Sequence, residues 1–246
     1  MYKDYISPEL KYEIFGYVKN FHLDDDGFFT SETADYFIDN IDSDKEFFYD
    51  SGATKCIIMP KNRDYVIKIP FNGAQCDGCY NCPLCAEHPE YIEECMAASC
   101  PNLPFECAGE DHGDNYCERE RELYDTIVEE YPEFQDFFLP LILAGEIKHY
   151  PIYFQEKAEI LADASNEVIS VSEKSRSIVS SKDAEICSAP NIWLAKCLED
   201  LNFDLNKYNK FVNMLYELGI ADDLHRSNVG YYHNHAVVID YAGFYE

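Results

Sequence analysis

Two acidic residues and an amide near the end of the sequence have the types and the spacing that phosphoryl transfer from Mg-ATP requires. Asp223 and Asn228 lie five positions apart, and Asp240 follows a short apolar strand predicted over residues 236–239. In this chemistry one carboxylate orients the attacking hydroxyl, while an amide and a second carboxylate hold the metal ion against the phosphates. The segment therefore predicts a site for phosphoryl transfer.

The upstream half of the sequence predicts the elements that would bind a nucleotide, in the required order. Residues 47–59 read as two strands joined by a tight turn, in which Gly52 and Ala53 are small enough for backbone N–H groups to approach a phosphate. Residues 64–70 read as an alternating strand that carries a single lysine, Lys68. Residues 116–130 have the apolar spacing of a helix, with Glu120 one turn before its apolar face. We therefore predict that Glu120 is the ion-pair partner of Lys68.

These segments resemble the protein kinase-like superfamily. The Asp-Leu-His-x-x-Asn catalytic loop is closer to aminoglycoside phosphotransferase-type and small phage or bacterial kinase-like proteins than to eukaryotic protein kinases. The resemblance implies an α+β, bilobal fold in which Lys68 holds the α- and β-phosphates of ATP and Glu120 fixes Lys68. It also implies that Asp223 is the catalytic carboxylate and that Asn228 and Asp240 bind Mg²⁺.

The same resemblance implies a hinge that binds adenine through its backbone. Residues 139–147 and 150–157 read as two buried strands, and the hinge, with Glu156 and Ala158, falls where the second of them ends. These residues are accordingly expected to bind the nucleotide.

Two features depart from the kinase pattern. The phosphate loop has one glycine, Gly52, where a protein kinase has three, and residues 240–243 read Asp-Tyr-Ala-Gly in place of Asp-Phe-Gly. The sequence ends at Glu246, so the resemblance implies a C-terminal lobe truncated after this motif, without the platform that seats a peptide. The acceptor is therefore expected to be a small molecule, the chain itself or a partner that completes the site.

The chain has eleven cysteines, and eight of them are concentrated between Cys76 and Cys117, after the Lys68 strand and up to the start of the Glu120 helix. Steps of C-x-x-C form thiolate knuckles, and ligands further along would complete tetrahedral zinc sites. An iron–sulfur cluster, thiols without metal and disulfides are the alternatives, of which disulfides would require export. The predicted zinc ligands are Cys76, Cys79, Cys82, Cys85, Cys95, Cys100, Cys107, His112 and Cys117.

The charge of the chain limits the kinds of partner that it can bind, because 47 acidic residues against 19 basic ones give a net charge of −28. Such a field repels nucleic acid and anionic membranes and favours basic proteins or metals. A rival interpretation is a catalytically silent kinase-like binding protein, such as a virus-encoded inhibitor, that acts through its acidic or zinc-bearing surface. Without an export signal or an apolar run of membrane-spanning length, we expect a cytoplasmic protein, in the host cytoplasm if virus-encoded.

The sequence divides into four predicted regions. They are a helical segment at 1–45, a kinase-like N-terminal lobe at 46–162 with the cysteine-rich insert at 74–117, a serine-rich linker or loop at 163–187, and a reduced C-terminal lobe at 188–246. In the last region we predict two helices, at 190–200 and 204–218, with Asp204 as the cap of the second and Gly219 as its end. Trp193 is predicted to lie in the core.

Overall fold

The computed structural model describes residues 6–18, 47–51, 55–70, 116–147, 150–161, 170–182 and 189–242, which fall into two units. Unit 1 contains residues 6–18, 47–51, 55–70, 116–119, 141–147 and 150–155, and unit 2 contains residues 120–140, 156–161, 170–182 and 189–242. Helices and antiparallel sheets are both present, so the described part is α+β. None of its helices is long and apolar enough to cross a membrane.

The helices and strands follow the predicted order closely. The helices are α1 (Pro8–Val18), α2 (Tyr116–Glu130), α3 (Glu173–Lys182), α4 (Asn191–Asp200) and α5 (Leu205–Glu217), with short 3-10 helices at Pro132–Phe137 and Ala221–Asp223. The strands are β1 (Phe47–Ser51), β2 (Lys55–Pro60), β3 (Tyr65–Pro70), β4 (Leu141–Ile147), β5 (Tyr150–Glu156), β6 (Glu159–Ile160), β7 (Val229–Tyr232) and β8 (His235–Val238).

Unit 1 is built on a five-stranded sheet with the order β1-β2-β3-β5-β4, in which β2 pairs antiparallel with β1 and β3. Apolar side chains such as Ile58, Ile67 and Ile152, one from each of three strands, are buried. They pack with Ile14 and Val18 from the apolar face of α1. The strands predicted over 47–59, 64–70, 139–147 and 150–157 are thus confirmed.

One carboxylate attaches α1 to the sheet of unit 1. The Tyr65 hydroxyl and the Arg63 Nε both donate to Glu13 Oε1, at 2.6 and 2.5 Å. The bond from Tyr65 is the largest cause that lowers the pKa of Glu13 below its ordinary 4.5, and the bond from Arg63 adds to it.

We expect Glu13→Gln to lower the free energy of unfolding at neutral pH and to have little effect in acid. Because the pKa of Glu13 is lowered in the folded state, its carboxylate stabilises the fold at pH values above the ordinary pKa of 4.5. This contribution is lost as the pH falls through the lower folded value. Urea titrations from pH 3 to 7 would test this, and a difference between variant and wild type that stays constant over the range would contradict it.

Unit 2 has its core between helices α2, α4 and α5 and the three-stranded sheet β6-β7-β8. Trp193, Tyr208 and Phe211 are fully buried at its centre, which confirms the predicted position of Trp193. Asp204 caps α5 by accepting from the backbone N–H groups of Asn206 and Lys207, as predicted. Gly219 follows α5 with a φ of +68°, a conformation that glycine adopts at little cost.

The prediction of a linker or loop over residues 163–187 is wrong for residues 173–182, which form α3. The Ser172 hydroxyl accepts from the Ser175 N–H and so caps the helix. Glu199 of α4 accepts from the Ser172 N–H at 2.6 Å and from the Ser175 hydroxyl at 2.7 Å. Burial raises the pKa of Glu199, but these hydrogen bonds outweigh it and hold the pKa low. Contacts with α4 therefore stabilise a helix whose own sequence is mostly polar.

Gly230 lets β6 approach β7 closely, because a Cβ built at this position would lie 2.3 Å from the Glu159 carbonyl oxygen. We expect Gly230→Ala to destabilise the protein by about 1–3 kcal/mol, since backbone atoms must move apart. Gly16→Ala is the matched control, because no neighbouring atom lies within 4 Å of a Cβ built there. Since alanine favours a helix more than glycine does, this substitution should stabilise the protein by about 1 kcal/mol. Urea unfolding of both variants checks this, and equal midpoints would refute the close approach.

Candidate functional site

A β-hairpin in unit 2 forms the base of the candidate site. Strands β7 and β8 pair antiparallel, with Val229 opposite Val238 and Tyr232 opposite His235. The turn between them consists of His233 and Asn234, with φ values of +48° and +65°. Positive φ at both central residues is typical of the type I′ turn, whose twist matches that of the two strands. The far end of the hairpin, where β7 begins and β8 ends, is therefore fixed in register.

Asp223 and Asn228 are joined directly at this far end. The Asn228 Nδ2 donates to the backbone oxygen of Asp223 at 2.8 Å and to its carboxylate Oδ2 at 3.1 Å. Asn228 is buried and the Asp223 side chain is 16% exposed, so the carboxylate is mostly enclosed and still reachable from solvent. Asp223 ends the 3-10 helix Ala221–Asp223 and donates its N–H to the Ile220 oxygen at 3.2 Å.

Asp240 comes to the same place through the register of the hairpin. The Ile239 N–H donates to the Asn228 oxygen at 2.9 Å, so Asp240 is one residue beyond a backbone bond to Asn228. The Asp240 side chain is partly buried. Since both hydrogen bonds of the Asn228 amide use its nitrogen, its Oδ1 is the atom that could bind a cation. Amide and carboxylate oxygens suit a hard divalent ion such as Mg²⁺.

Hydrogen bonds from the core of unit 2 hold β8 and the residues that follow it. The Trp193 Nε1 donates to the Val237 oxygen at 3.2 Å, and the Leu139 N–H donates to the Val238 oxygen at 3.1 Å. The Tyr241 hydroxyl in turn donates to the Leu139 oxygen at 3.0 Å. The residues on either side of Asp240 are thereby anchored.

Glu120 lies close to the segment that carries Asp240. Burial raises the pKa of Tyr241 well above its ordinary value, and the negative charge of Glu120 is the next largest cause. Glu120 itself is fully buried on α2, and a buried carboxylate requires a compensating partner. Lys68, its predicted partner, is 2% exposed on β3 of unit 1. The ion pair between Glu120 and Lys68 stays a prediction.

The structure describes only some of the other predicted nucleotide-binding residues. Glu156 ends β5 and is exposed, whereas Ala158 is buried against Leu139 and Val237. Gly52 and Ala53 lie outside the described residues.

Most of the predicted zinc ligands likewise fall outside the part of the chain that the structure describes, namely Cys76, Cys79, Cys82, Cys85, Cys95, Cys100, Cys107 and His112. Cys117 is fully buried and packs with Leu141 and Tyr153. Within the described ranges, no group of three or more His, Cys, Asp and Glu side chains is arranged to bind a metal ion.

Two residues of the candidate site did not emerge as functional from the sequence. His225 contacts Asp223, with 3.8 Å between its Nε2 and the Asp223 Oδ1, and Tyr241 anchors the backbone after Asp240. His225 could have been found from its position inside the Asp-Leu-His-x-x-Asn segment. For Tyr241, the bond to Leu139 joins residues far apart in the chain, and no local pattern indicates it.

Comparison with known proteins adds no relative: no protein-family model matches the chain, and no curated protein matches it.

Proposed function

We propose that the chain is a Mg-ATP-dependent phosphotransferase, whose acceptor is not identified. The observation that carries this proposal is the position of Asp223, Asn228 and Asp240 at one end of the β7–β8 hairpin. Asn228 bonds to Asp223 through its side chain and to Ile239 through its backbone. A carboxylate that solvent can reach, beside two oxygen groups suited to a hard cation, is what this chemistry requires.

Each of the three residues has a separate role in the proposal. Asp223 accepts or orients the proton of the attacking hydroxyl, and its bond from Asn228 holds the carboxylate in one orientation. The Asn228 Oδ1 and the Asp240 carboxylate would hold Mg²⁺, which offsets negative charge on the phosphates when bound. Lys68 would contact the α- and β-phosphates, as the resemblance to kinase-like proteins implies.

Nucleotide binding with and without metal tests the proposal. We expect calorimetry to detect ATP binding in the presence of Mg²⁺ and much weaker binding when the metal is chelated, because the acidic chain repels an uncompensated polyphosphate. Equal binding under the two conditions, or none under either, would contradict a Mg-ATP site.

We also propose that the cysteine-rich segment from Cys76 to Cys117 binds one or two zinc ions. The support is the repeated C-x-x-C spacing, which suits tetrahedral thiolate sites. Elemental analysis of protein purified without chelator is expected to find one or two zinc ions per chain. Protein free of zinc would refute the proposal, and iron with a visible absorption band would favour the cluster alternative.

A second function is supported by the charge of the chain, since a net charge of −28 would suit a protein that docks on a basic partner. In that case the kinase-like site would be dispensable. Replacing both Asp223 and Asp240 with asparagine separates the two functions. Loss of biological activity in the folded, zinc-replete double variant supports the phosphotransferase, and retention of full activity supports the binding protein.

A further inference from the structure

Both nitrogens of the His225 ring face groups of the loop between Asp223 and Asn228. The Ser227 N–H donates to His225 Nδ1 at 3.2 Å, and His225 Nε2 lies 3.8 Å from Asp223 Oδ1. The backbone of His225 is also held, because its N–H donates to the Asp223 oxygen and its own oxygen accepts from the Asn228 N–H, each at 3.0 Å. The ring is therefore oriented although its side chain is 55% exposed.

These contacts determine which nitrogen of the neutral ring carries the proton. A ring nitrogen that accepts a hydrogen bond has no proton, so the bond from Ser227 places the proton of His225 on Nε2. That N–H group faces Asp223 Oδ1, while Asp223 Oδ2 already accepts from Asn228. A separation of 3.8 Å is too long for a direct hydrogen bond and short enough for a small movement or a bridging water to complete it.

We propose that His225 is a positioning residue that holds the Asp223 carboxylate through its Nε2–H, in a tautomer fixed by the Ser227 N–H. The proposal rests on the proposed phosphotransferase function, in which Asp223 must keep one orientation toward the attacking hydroxyl. Catalytic hydrogen bonds are often long in an enzyme without substrate and shorten in the reactive complex. A purely structural role would need only the Nδ1 contact, which closes the turn.

Two amide variants separate these roles, because each replaces the hydrogen-bonding function of one ring nitrogen and loses that of the other. In His225→Asn the side-chain oxygen can take the place of Nδ1 and accept from Ser227, but position 225 no longer supplies a donor to Asp223. In His225→Gln the side-chain nitrogen can take the place of Nε2 and donate to Asp223, but the acceptor for Ser227 is lost.

We expect kcat in His225→Asn to fall by about 10- to 100-fold with little change in KM for Mg-ATP, as is usual when the orienting partner of a reactive group is lost. The rate in His225→Gln should recover at least partly. If His225→Asn is as fast as wild type while His225→Gln is slow, the ring only closes the turn and the proposal is wrong.

The ring tautomer can be measured independently of activity by ¹⁵N NMR of histidine-labelled protein, with His225→Asn identifying the signals. We expect an unprotonated Nδ1 and a protonated Nε2 in the neutral ring. The opposite tautomer, or an equal mixture of the two, would overturn the proposal.

If the protein transfers no phosphate, the proposed function is refuted. The contact between His225 and Asp223 can then still be tested by NMR. In that case the side-chain carbonyl ¹³C signal of Asp223 should shift in His225→Asn and stay nearer to wild type in His225→Gln. The same shift in both variants would overturn the positioning role.

Discussion

Replacing Asp223 with asparagine is expected to reduce phosphotransfer by about 10²- to 10⁴-fold, the contribution typical of a general base. The asparagine oxygen can still accept from the Asn228 Nδ2, which in wild type lies 3.1 Å from the carboxylate, so the loop should keep its geometry. The variant should therefore bind Mg-ATP as wild type does, because the proposal gives Asp223 no metal to hold. Steady-state rates and calorimetric affinities on the same preparation would measure both effects.

Asp222→Asn is the matched control for this variant. It removes the same charge at the adjacent position, in the same 3-10 helix, where the side chain is exposed. We expect its rate to stay within about twofold of wild type, because exposed charges interact weakly through water. Equal rate losses in Asp222→Asn and Asp223→Asn would show that net charge, and not the position of the carboxylate, causes the effect.

Asp240→Asn is expected to weaken Mg-ATP binding by more than about 100-fold, because residues that only orient a metal ligand already contribute 10- to 100-fold to metal affinity. The direction of this effect is informative. The chain carries a net charge of −28, so removing a negative charge should by itself strengthen the binding of an anion. Weaker binding can therefore be assigned to loss of the metal ligand.

Asp136→Asn controls for the charge effect in the same unit, since Asp136 is exposed on the 3-10 helix Pro132–Phe137. Its affinity for Mg-ATP should be equal to or slightly higher than that of wild type. ATP titrations in chelator should also show no loss of affinity in Asp240→Asn. If Asp240→Asn binds Mg-ATP as tightly as Asp136→Asn does, Asp240 is not a metal ligand.

The regular elements were largely predictable because local chemistry determines them. The run of β-branched residues over 65–70, which favours a strand, and the Asp204 cap each act within a few residues, and the structure has both the strand and the cap. Helix α3 was not predictable in this way, since Glu199 of another helix supplies two of the hydrogen bonds at its start.

In the candidate site, too, the relations between residues close in sequence were predictable, and the contacts between distant segments were not. The spacing of Asp223 and Asn228 predicted that both residues belong to one loop, and the structure shows in addition that their side chains are hydrogen-bonded. The positions of Glu120 and Tyr241 near each other depend on the packing of segments that are distant in sequence. No periodicity or motif in one segment carries that information.

The turn at His233 and Asn234 bears on how this hairpin can evolve. Asn228 pairs with Ile239, the residue before Asp240, because two paired strands of equal length are joined by a two-residue turn. One inserted or deleted residue would shift the pairing and bring the opposite face of β8 toward Asn228, which would carry Asp240 away. Point substitutions in the turn, such as Asn234→Gly, keep the count and suit its positive φ. We therefore expect this turn to accept substitutions but not insertions or deletions.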